Sequence, residues 1–328
     1  MATYKGVQGY AVKKLSSDIP ASKAEGQLWY NSSSGKFKIG TAGAAAWSSA
    51  PALNTARNEI ANAGADNTNA LAFGGTPGEM DVTEKFDGTS WTEVNNLNQA
   101  RRLIDGIGAT NTAALAAGGY APPGYQVSNE KWDGTSWTEV NNINTAKGAG
   151  GSAGTQAAGL IFGGNPGPTA TTEKWDGTSW TEVNDMTDAR LHLGSAGTQT
   201  AALGFGGDTP PNTANTEVWD GTCWTEVNNL NTVRQALTGA GTSTTALAIG
   251  GKNPPSSALA VVEEYDGTSW TEVADLATAR YELGGAGTAS SSAIAFGGAT
   301  GPGPSGASAV TEEWNIPSAN EIKTFTAS

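Results

Sequence analysis

The chain of 328 residues contains 45 glycines and 11 tryptophans, but only one histidine and one cysteine. These counts exclude an internal disulfide framework, a multi-cysteine zinc or iron–sulfur site, and any metal or catalytic centre that needs two imidazoles. The formal net charge of −13 disfavours nucleic acid and anionic membrane surfaces as partners, and no apolar run reaches the roughly 18 residues of a membrane span.

Residues 1–43 differ from the rest of the chain in charge and in pattern. The first 50 residues carry six lysines against Asp18 and Glu25, a net charge of +4, whereas the remainder holds 12 basic and 29 acidic residues, a net charge of −17. Two short runs, Leu28–Tyr30 and Phe37–Ile39, predict a β-hairpin. Because the N-terminus lacks the apolar stretch of a secretory signal, we expect synthesis in a cytoplasm. We interpret this segment as an attachment arm that docks onto acidic neighbours.

Residues 44–316 consist of repeats. Gly-Gly pairs recur 43 to 47 residues apart, at 74–75, 118–119, 163–164, 206–207, 250–251 and 297–298. Each pair follows a short apolar run, and an aromatic residue and then Asp-Gly-Thr-Ser-Trp or a close variant come after most of them. A basic residue stands ten positions after that Trp, at Arg101, Lys147, Arg190, Arg234 and Arg280. A fixed period in this range indicates a repeat array.

Each repeat predicts four short strands and no helix. The first strand is small and glycine-rich, the second is the apolar run into Gly-Gly, and the third and fourth form a hairpin around Asp-Gly. Ten of the eleven tryptophans fall in the third and fourth strands, where neighbouring twisted sheets diverge and need large side chains. Four antiparallel strands per repeat are typical of the blade of a β-propeller.

The two ends of the array complement each other. The last repeat reaches Trp314 but lacks the Asp-Gly turn and the fourth strand, whereas Trp47 lies 44 residues before Trp91 without a preceding repeat. We therefore predict an all-β fold with six blades, the last of which is closed by an N-terminal strand around Ala46–Ala50. Residues 317–328 are interpreted as a C-terminal tail.

Two resemblances follow from these motifs. Gly-Gly closing the second strand, an aromatic residue in the third and Trp opening the fourth resemble the kelch repeat, six times over. Trp-Asp-Gly-Thr-Ser-Trp, Asn-Thr-Ala-Arg and the opening Glu25–Ser32 through Gly35–Ile39 are similar to kelch-type repeat proteins of marine tailed bacteriophages. The second resemblance implies a component of the virion, such as a fibre, an adhesin or a head-decoration protein.

The residue types that often carry chemistry are better explained by structure. Cys223 replaces a turn serine, and the lone His192 has no partner in the sequence pattern. The turn aspartates lie on separate blades and cannot share one calcium ion: Asp87, Asp133, Asp176, Asp220 and Asp266. We therefore expect no catalytic site, no cofactor and no metal.

Glutamates recur on both strands of each hairpin, and their equivalence favours a structural role over one asymmetric catalytic pair. We expect them to form ion pairs between blades with Arg57, Arg101, Arg190, Arg234 and Arg280. Those before the aromatic residue are Glu84, Glu130, Glu173, Glu217 and Glu264. Those after the Trp are Glu93, Glu139, Glu182, Glu226 and Glu272.

The segments after Gly-Gly differ in length and wording, whereas the hairpin turns stay nearly fixed. In a kelch-like propeller these segments lie on one face around the axis, and repeat arrays often place insertions on their binding face. The candidate ligand-contacting residues are Tyr120, Tyr125, Asn165, Asp208 and Lys252. The alternative is that these loops vary because nothing constrains them.

The sequence therefore favours a non-enzymatic virion protein that displays a propeller on the particle surface and is held to other virion proteins by its arm. A glycan-binding module for a host receptor is the alternative, and a homo-oligomer is compatible with both. A polysaccharide-degrading enzyme is a third hypothesis, which the absence of a catalytic constellation disfavours.

Overall fold

The computed structural model describes residues 12–19, 27–41, 45–253, 257–302, 306–315 and 321–324. The described residues form strands joined by turns and loops, so the all-β prediction is confirmed. No helix that could cross a membrane occurs among them. The chain divides into two compact units, residues 46–315 and the two terminal segments together.

Strands β1 to β14 lie between Lys13 and Val140 and include the first two sheets of the repeat unit. The first four are β1 (Lys13–Leu15), β2 (Leu28–Asn31), β3 (Lys36–Thr41) and β4 (Ala46–Ala50). Sheet 1 contains β5 (Ala61–Asp66), β6 (Asn69–Phe73), β7 (Thr83–Phe86) and β8 (Trp91–Val94). Sheet 2 and its short hairpin comprise β9 (Asp105–Thr110), β10 (Ala113–Ala117), β11 (Tyr120–Ala121), β12 (Gly124–Tyr125), β13 (Asn129–Trp132) and β14 (Trp137–Val140).

The later repeats have the same plan. Sheet 3 contains β15 (Gly151–Thr155), β16 (Ala158–Phe162), β17 (Thr172–Trp175) and β18 (Trp180–Val183). Sheet 4 contains β19 (Gly194–Thr198), β20 (Ala201–Phe205), β21 (Thr216–Trp219) and β22 (Trp224–Val227). Sheet 5 and its short hairpin comprise β23 (Thr238–Gly241), β24 (Ala246–Ile249), β25 (Lys252–Asn253), β26 (Ser257–Ala258), β27 (Val262–Tyr265) and β28 (Trp270–Glu272). The last strands are β29 (Gly284–Ala289), β30 (Ser292–Phe296), β31 (Thr311–Asn315) and β32 (Glu321–Thr324).

Apart from the short hairpins β11–β12 and β25–β26, each sheet of residues 46–315 has four antiparallel strands, with β29, β30, β31 and β4 forming sheet 6. In the last of these, Trp314 on β31 lies opposite Trp47 on β4, so a strand from before the first sheet completes the final one. The first strands of consecutive sheets contact each other, and β29 contacts β5. The arrangement of this unit is propeller-like.

A ring of six backbone hydrogen bonds joins the sheets just before their first strands. Each N–H donates to the carbonyl of the equivalent residue in the preceding sheet, at 2.7 to 3.2 Å, through Glu59, Leu103, Ala149, His192, Ala236 and Glu282. The bond from Glu59 N to Glu282 O links the first sheet to the last. All six residues have φ between 52° and 59°, a left-handed conformation that is rare for residues other than glycine.

The Gly-Gly pairs allow the next connecting segment to approach the end of the second strand. Gly74 and Gly75 both have positive φ. A Cβ atom on Gly74 would lie 2.6 Å from the carbonyl oxygen of Arg101, and one on Gly75 would lie 2.8 Å from that of Asn58. Only glycine fits both the conformation and the space, which explains why the pair recurs in every repeat.

Aromatic rings fill the space between neighbouring sheets. Phe73 of sheet 1 contacts Trp137 of sheet 2, with ring centroids 4.9 Å apart, and the indole Nε1 of Trp137 donates to Thr83 Oγ1 at 3.1 Å. The same indole-to-threonine bond recurs between three other pairs of sheets. Asn129 and Val262 replace this threonine in sheets 2 and 5, and the indole Nε1 atoms of Trp180 and Trp47 have no hydrogen-bond acceptor among the described residues.

Buried ion pairs anchor the segments that connect consecutive sheets. Each repeat arginine is fully buried and donates to a glutamate on the third strand of the following sheet, in the pairs Arg57–Glu84, Arg101–Glu130, Arg190–Glu217, Arg234–Glu263 and Arg280–Glu312. Lys147 takes this position before sheet 3, with Nζ 3.7 Å from Glu173.

The structure corrects two details of the expected pairs. The partner of Arg234 is Glu263 and not Glu264, because the pairing glutamate stands two residues before the aromatic residue in every repeat, here Tyr265. The prediction was wrong for the glutamates after the Trp, because their side chains are exposed and do not reach the buried arginines. They are Glu93, Glu139, Glu182, Glu226 and Glu272.

Arg190 illustrates how these groups are satisfied. Its Nη1 donates to the carbonyls of Gly206 and Asn215 at 2.9 and 2.6 Å, and its Nη2 donates to Glu217 Oε1 at 2.8 Å. The other oxygen of Glu217 accepts the backbone N–H of Thr187 at 2.7 Å. The pair therefore ties one connecting segment to the second and third strands of the next sheet.

The two terminal segments form a separate four-stranded sheet in the order β1, β2, β3, β32. The hairpin pairs Tyr30 with Phe37, and β32 adds to β3, an association that the sequence did not indicate. Asp18 accepts hydrogen bonds from Asn31 Nδ2 and Lys38 Nζ, each at 2.5 Å.

We expect Arg190→Met to lower the free energy of unfolding by about 3–5 kcal/mol, because it leaves the Glu217 carboxylate buried without its cation. Arg190→Lys is the matched control and should cost less, since Lys147 already occupies the equivalent position. Urea unfolding followed by tryptophan fluorescence gives the free energy of unfolding of both variants, and thermal unfolding followed by the same signal gives their melting temperatures. A melting temperature of the Met variant within one degree of wild type, roughly 0.3 kcal/mol by the usual scaling, would contradict the structural role.

Candidate functional site

The ring residues lie at a central cavity of about 250 Å³ whose walls are the first strands of all six sheets. Those strands contribute mainly glycine, alanine, serine and threonine, because first strands that contact each other around one cavity leave little room for side chains. Ser152 Oγ donates to Gly106 O at 2.7 Å and Ser195 Oγ donates to Ser152 O at 2.9 Å, so side chains also join adjacent first strands. We call the region around the ring residues the mouth.

Six equivalent bridges place the residue after each Gly-Gly beside the mouth. Tyr120 N donates to Arg102 O at 2.7 Å and Arg102 N donates back to Tyr120 O at 3.1 Å. The corresponding bridges join Thr76 with Asn58, Asn165 with Gly148, Asp208 with Leu191, Lys252 with Gln235 and Ala299 with Tyr281. Four of the five candidate ligand-contacting residues thus occupy the same position in different sheets, and all of these are half-buried.

Tyr120 and Tyr125 form an aromatic cluster with a cation. Tyr120 lies opposite Tyr125 in the β11–β12 hairpin, with the rings edge to face and their centroids 5.4 Å apart. The guanidinium of Arg102 lies over the Tyr120 ring, 4.7 Å from its centroid. Arg102 also pairs with Glu59 at 2.6 Å and with Glu79 at 3.3 Å, so its charge is neutralised by two carboxylates.

Lys252 forms a second cluster of the same kind. Its Nζ lies 4.5 Å from the centroid of the Tyr281 ring and 3.1 Å from Glu282 Oε1. The other oxygen of Glu282 accepts Asn58 Nδ2 at 2.7 Å. A polar network therefore runs from sheet 5 through sheet 6 to sheet 1, where Glu59 continues it to Arg102 of sheet 2.

Asn165 and Asp208 lie on sheets 3 and 4, on the other side of the mouth. Asn165 Oδ1 accepts the N–H of Gly167 at 2.8 Å, which shapes its own loop. Asp208 bridges Asn212 as well as Leu191. The structure therefore brings Tyr120 and Tyr125 into contact and connects Lys252 to them through the network, whereas Asn165 and Asp208 serve their own loops.

Residues considered for chemistry lie in structural positions. Asp87 Oδ1 accepts the hydroxyl of Thr89 at 2.7 Å and the N–H groups of Thr89 and Ser90 at 2.8 and 2.9 Å, and these bonds lower the pKa of its carboxyl. Cys223 is exposed in the equivalent turn of sheet 4, where the charge of Asp220 raises the pKa of the thiol. His192 is one of the ring residues. Burial lowers the pKa of its imidazole below the ordinary value of 6.5, so the side chain is neutral at pH 7. Among the described residues, no group of three or more His, Cys, Asp or Glu could hold a metal ion.

Sequence reasoning missed four charged residues of the mouth, Glu59, Glu79, Arg102 and Glu282, and the aromatic residue Tyr281. A signal for most of them exists in the repeat alignment. The two positions that follow each repeat Arg differ among repeats, whereas the positions before it are nearly constant. Those variable positions lie beside the loops that follow Gly-Gly and not within them.

Asp105 is a second residue that the sequence did not reveal. It begins the first strand of sheet 2 opposite Ala117, whereas four other sheets have a phenylalanine opposite this position. The small alanine leaves room for the carboxyl, whose Oδ1 accepts Gly150 N–H at 2.9 Å, while Oδ2 is buried and receives no hydrogen bond from the part of the chain that the structure describes. Burial raises the pKa of Asp105 to about 7, against the opposing effects of Lys147 and Gly150.

Comparison with models of known protein families found no match, and a search of curated proteins found no significant similarity.

Asp105 predicts a pH dependence of stability. Because its pKa is about 7 in the folded chain and 3.8 in the reference state, the folded chain holds a proton between those values that the unfolded chain releases. The free energy of unfolding should therefore fall as pH rises from about 4 to 7, by up to roughly 4 kcal/mol from this group.

The matched variant is Asp105→Asn, which is neutral throughout and keeps an oxygen for Gly150 N–H. Urea unfolding at pH 4.5 and pH 7.5 should show that the variant gains stability relative to wild type as the pH rises. An equal pH dependence in both proteins would contradict the assignment of the proton to Asp105.

Proposed function

We propose that this protein is a non-enzymatic structural protein of a bacteriophage virion, which displays a six-bladed kelch-like β-propeller on the particle surface and is anchored by its N-terminal arm. The bacteriophage setting rests on the sequence resemblance of the repeats and of the arm. The propeller rests on the four-stranded sheets, on the pairing of β4 with β31 and on the bond from Glu59 to Glu282.

The single observation that carries the proposal is that six equivalent backbone positions at the mouth hold six different residues. They are Asn58, Arg102, Gly148, Leu191, Gln235 and Tyr281, each in the same two-way bridge to a residue after Gly-Gly. A constant frame that presents variable side chains suits recognition or decoration. The repeated arginines and the glutamates two residues before the aromatic residue form buried ion pairs, and the repeated turn aspartates accept backbone N–H groups, which disfavours catalysis by these groups.

The arm has the features of an attachment element. Leu28 and Phe37 lie on one face of its hairpin, with 37% and 38% of their surfaces exposed. Lys13, Lys14 and Lys36 are also exposed on the same sheet. An exposed apolar face with lysines around it fits an acidic protein of the particle as the partner.

A glycan-binding module for host recognition is the second candidate, and the Tyr120–Tyr125 cluster favours it, since paired tyrosines offer contact surface to sugars. A polysaccharide-degrading activity has weaker support. Two of the carboxylates that line the cavity, Glu59 and Glu282, are each engaged by a cation of this chain.

We expect Leu28→Asn/Phe37→Asn to reduce the copy number of the protein in purified virions by about tenfold or more, which corresponds to roughly 1.4 kcal/mol of docking free energy. Val233→Asn is the matched control, because Val233 is 39% exposed on the repeat unit and should leave incorporation unchanged. Quantitative mass spectrometry of virions of the encoding phage measures both variants. Normal incorporation of the arm variant would overturn the anchoring role, and absence of the wild-type protein from virions would overturn the proposed function.

A further inference from the structure

We infer that the mouth, around Tyr120, Tyr125 and Arg102, is a preformed binding site for an uncharged polysaccharide. This inference deepens the proposed display function by naming the ligand class. It depends on the loop face alone and not on how the arm is attached.

The tyrosine hairpin is rigid before any ligand arrives. Gln126 Nε2 donates to the carbonyls of Ala121 and Gly124 at 3.0 and 2.7 Å, and its backbone N–H donates to Gly119 O at 2.8 Å. Arg102 holds the Tyr120 ring from above, and Tyr125 holds it from the side. Since the rings are already ordered, binding costs little conformational entropy.

The charges around the mouth exclude an anionic ligand. The carboxylates of Glu59, Glu79, Asp208 and Glu282 outnumber the cations of Arg102 and Lys252, and His192 is neutral. The residues are close enough for Glu282, Lys252 and Arg102 to affect the pKa of Glu59. The surplus of negative charge repels phosphate, sulfate and uronate groups.

A cationic ligand is disfavoured because the two ring carboxylates, Glu59 and Glu282, are already paired with cations of this chain. Glu59 accepts Arg102, and Glu282 accepts both Lys252 and Asn58. An incoming amine would have to displace a cation or an amide that the fold holds in place. The remaining chemistry is that of hydroxyl groups, which can donate and accept at a polar surface without carrying a charge.

The test is a glycan microarray that carries neutral glucans, mannans and galactans beside uronate-containing, sulfated and amino-sugar polymers, probed with the full-length chain. We expect retention on at least one neutral polymer. Tyr120→Ala/Tyr125→Ala should weaken that binding by about tenfold or more, whereas Tyr120→Phe/Tyr125→Phe should stay within about threefold, because the rings supply most of the contact. Tyr30→Ala is the matched control, since Tyr30 is also half-buried but lies on the arm.

Hydrogen exchange of the wild-type chain with the retained polymer gives a second readout that needs no variant, and we expect slower exchange at residues 120–126. Binding to no polymer, preference for a charged polymer, or unchanged binding and exchange at the tyrosines would each overturn the inference. None of these results would affect incorporation into virions, so failure of this inference and failure of the proposed function are distinguishable.

Discussion

The ring of six backbone hydrogen bonds is the constraint on which the repeat unit depends. Each sheet begins its first strand only after its chain has turned through a left-handed residue and donated an N–H to the preceding sheet. A non-glycine residue in that conformation costs about 1 kcal/mol or more, so the turn must be held by other contacts. The repeat Arg two residues earlier supplies them, because its side chain ties the connecting segment to the sheet that follows.

The difference between backbone contacts and side-chain contacts explains which positions vary among the repeats. The hydrogen bonds of the ring and of the bridges use backbone atoms, so their geometry does not depend on the side chains they carry. The buried Arg–Glu pairs and the Gly-Gly pairs do depend on residue type, and they recur with one Lys as the exception. Charge and aromatic groups are thereby collected on the mouth, where Arg102 and Lys252 each lie over a tyrosine.

Much of the fold could be predicted from the sequence, because its signals are local. Alternating strands, Asp-Gly turns and Gly-Gly pairs each reflect a nearby backbone requirement. Trp314 and Trp47, each of which lacks a partner within its own repeat of the sequence, do lie opposite each other. The error at Glu264 arose because two glutamates are adjacent there, and only the register with Tyr265 decides between them.

The candidate site was less accessible to sequence reasoning, because its contacts join residues far apart in the chain. Glu59 and Glu282 lie near opposite ends of the repeat array, so only the bond between the first and last sheets makes them neighbours, and the room for the Asp105 carboxyl depends on the small Ala117 opposite it. The variable loops pointed to Tyr120 and Tyr125. They did not point to Arg102, whose guanidinium contacts both the Tyr120 ring and Glu59. The addition of β32 to β3 likewise depends on pairing between opposite ends of the chain.

Amide hydrogen exchange at the six ring residues tests the central claim most directly, because the Glu59 N–H is the one that joins the first sheet to the last. A closed ring predicts that this amide exchanges within about tenfold of the Ala149 and His192 amides, since all three then open in one cooperative unit. Exchange at Glu59 faster by about a thousandfold or more would show that the ring is open at this junction and would contradict the account.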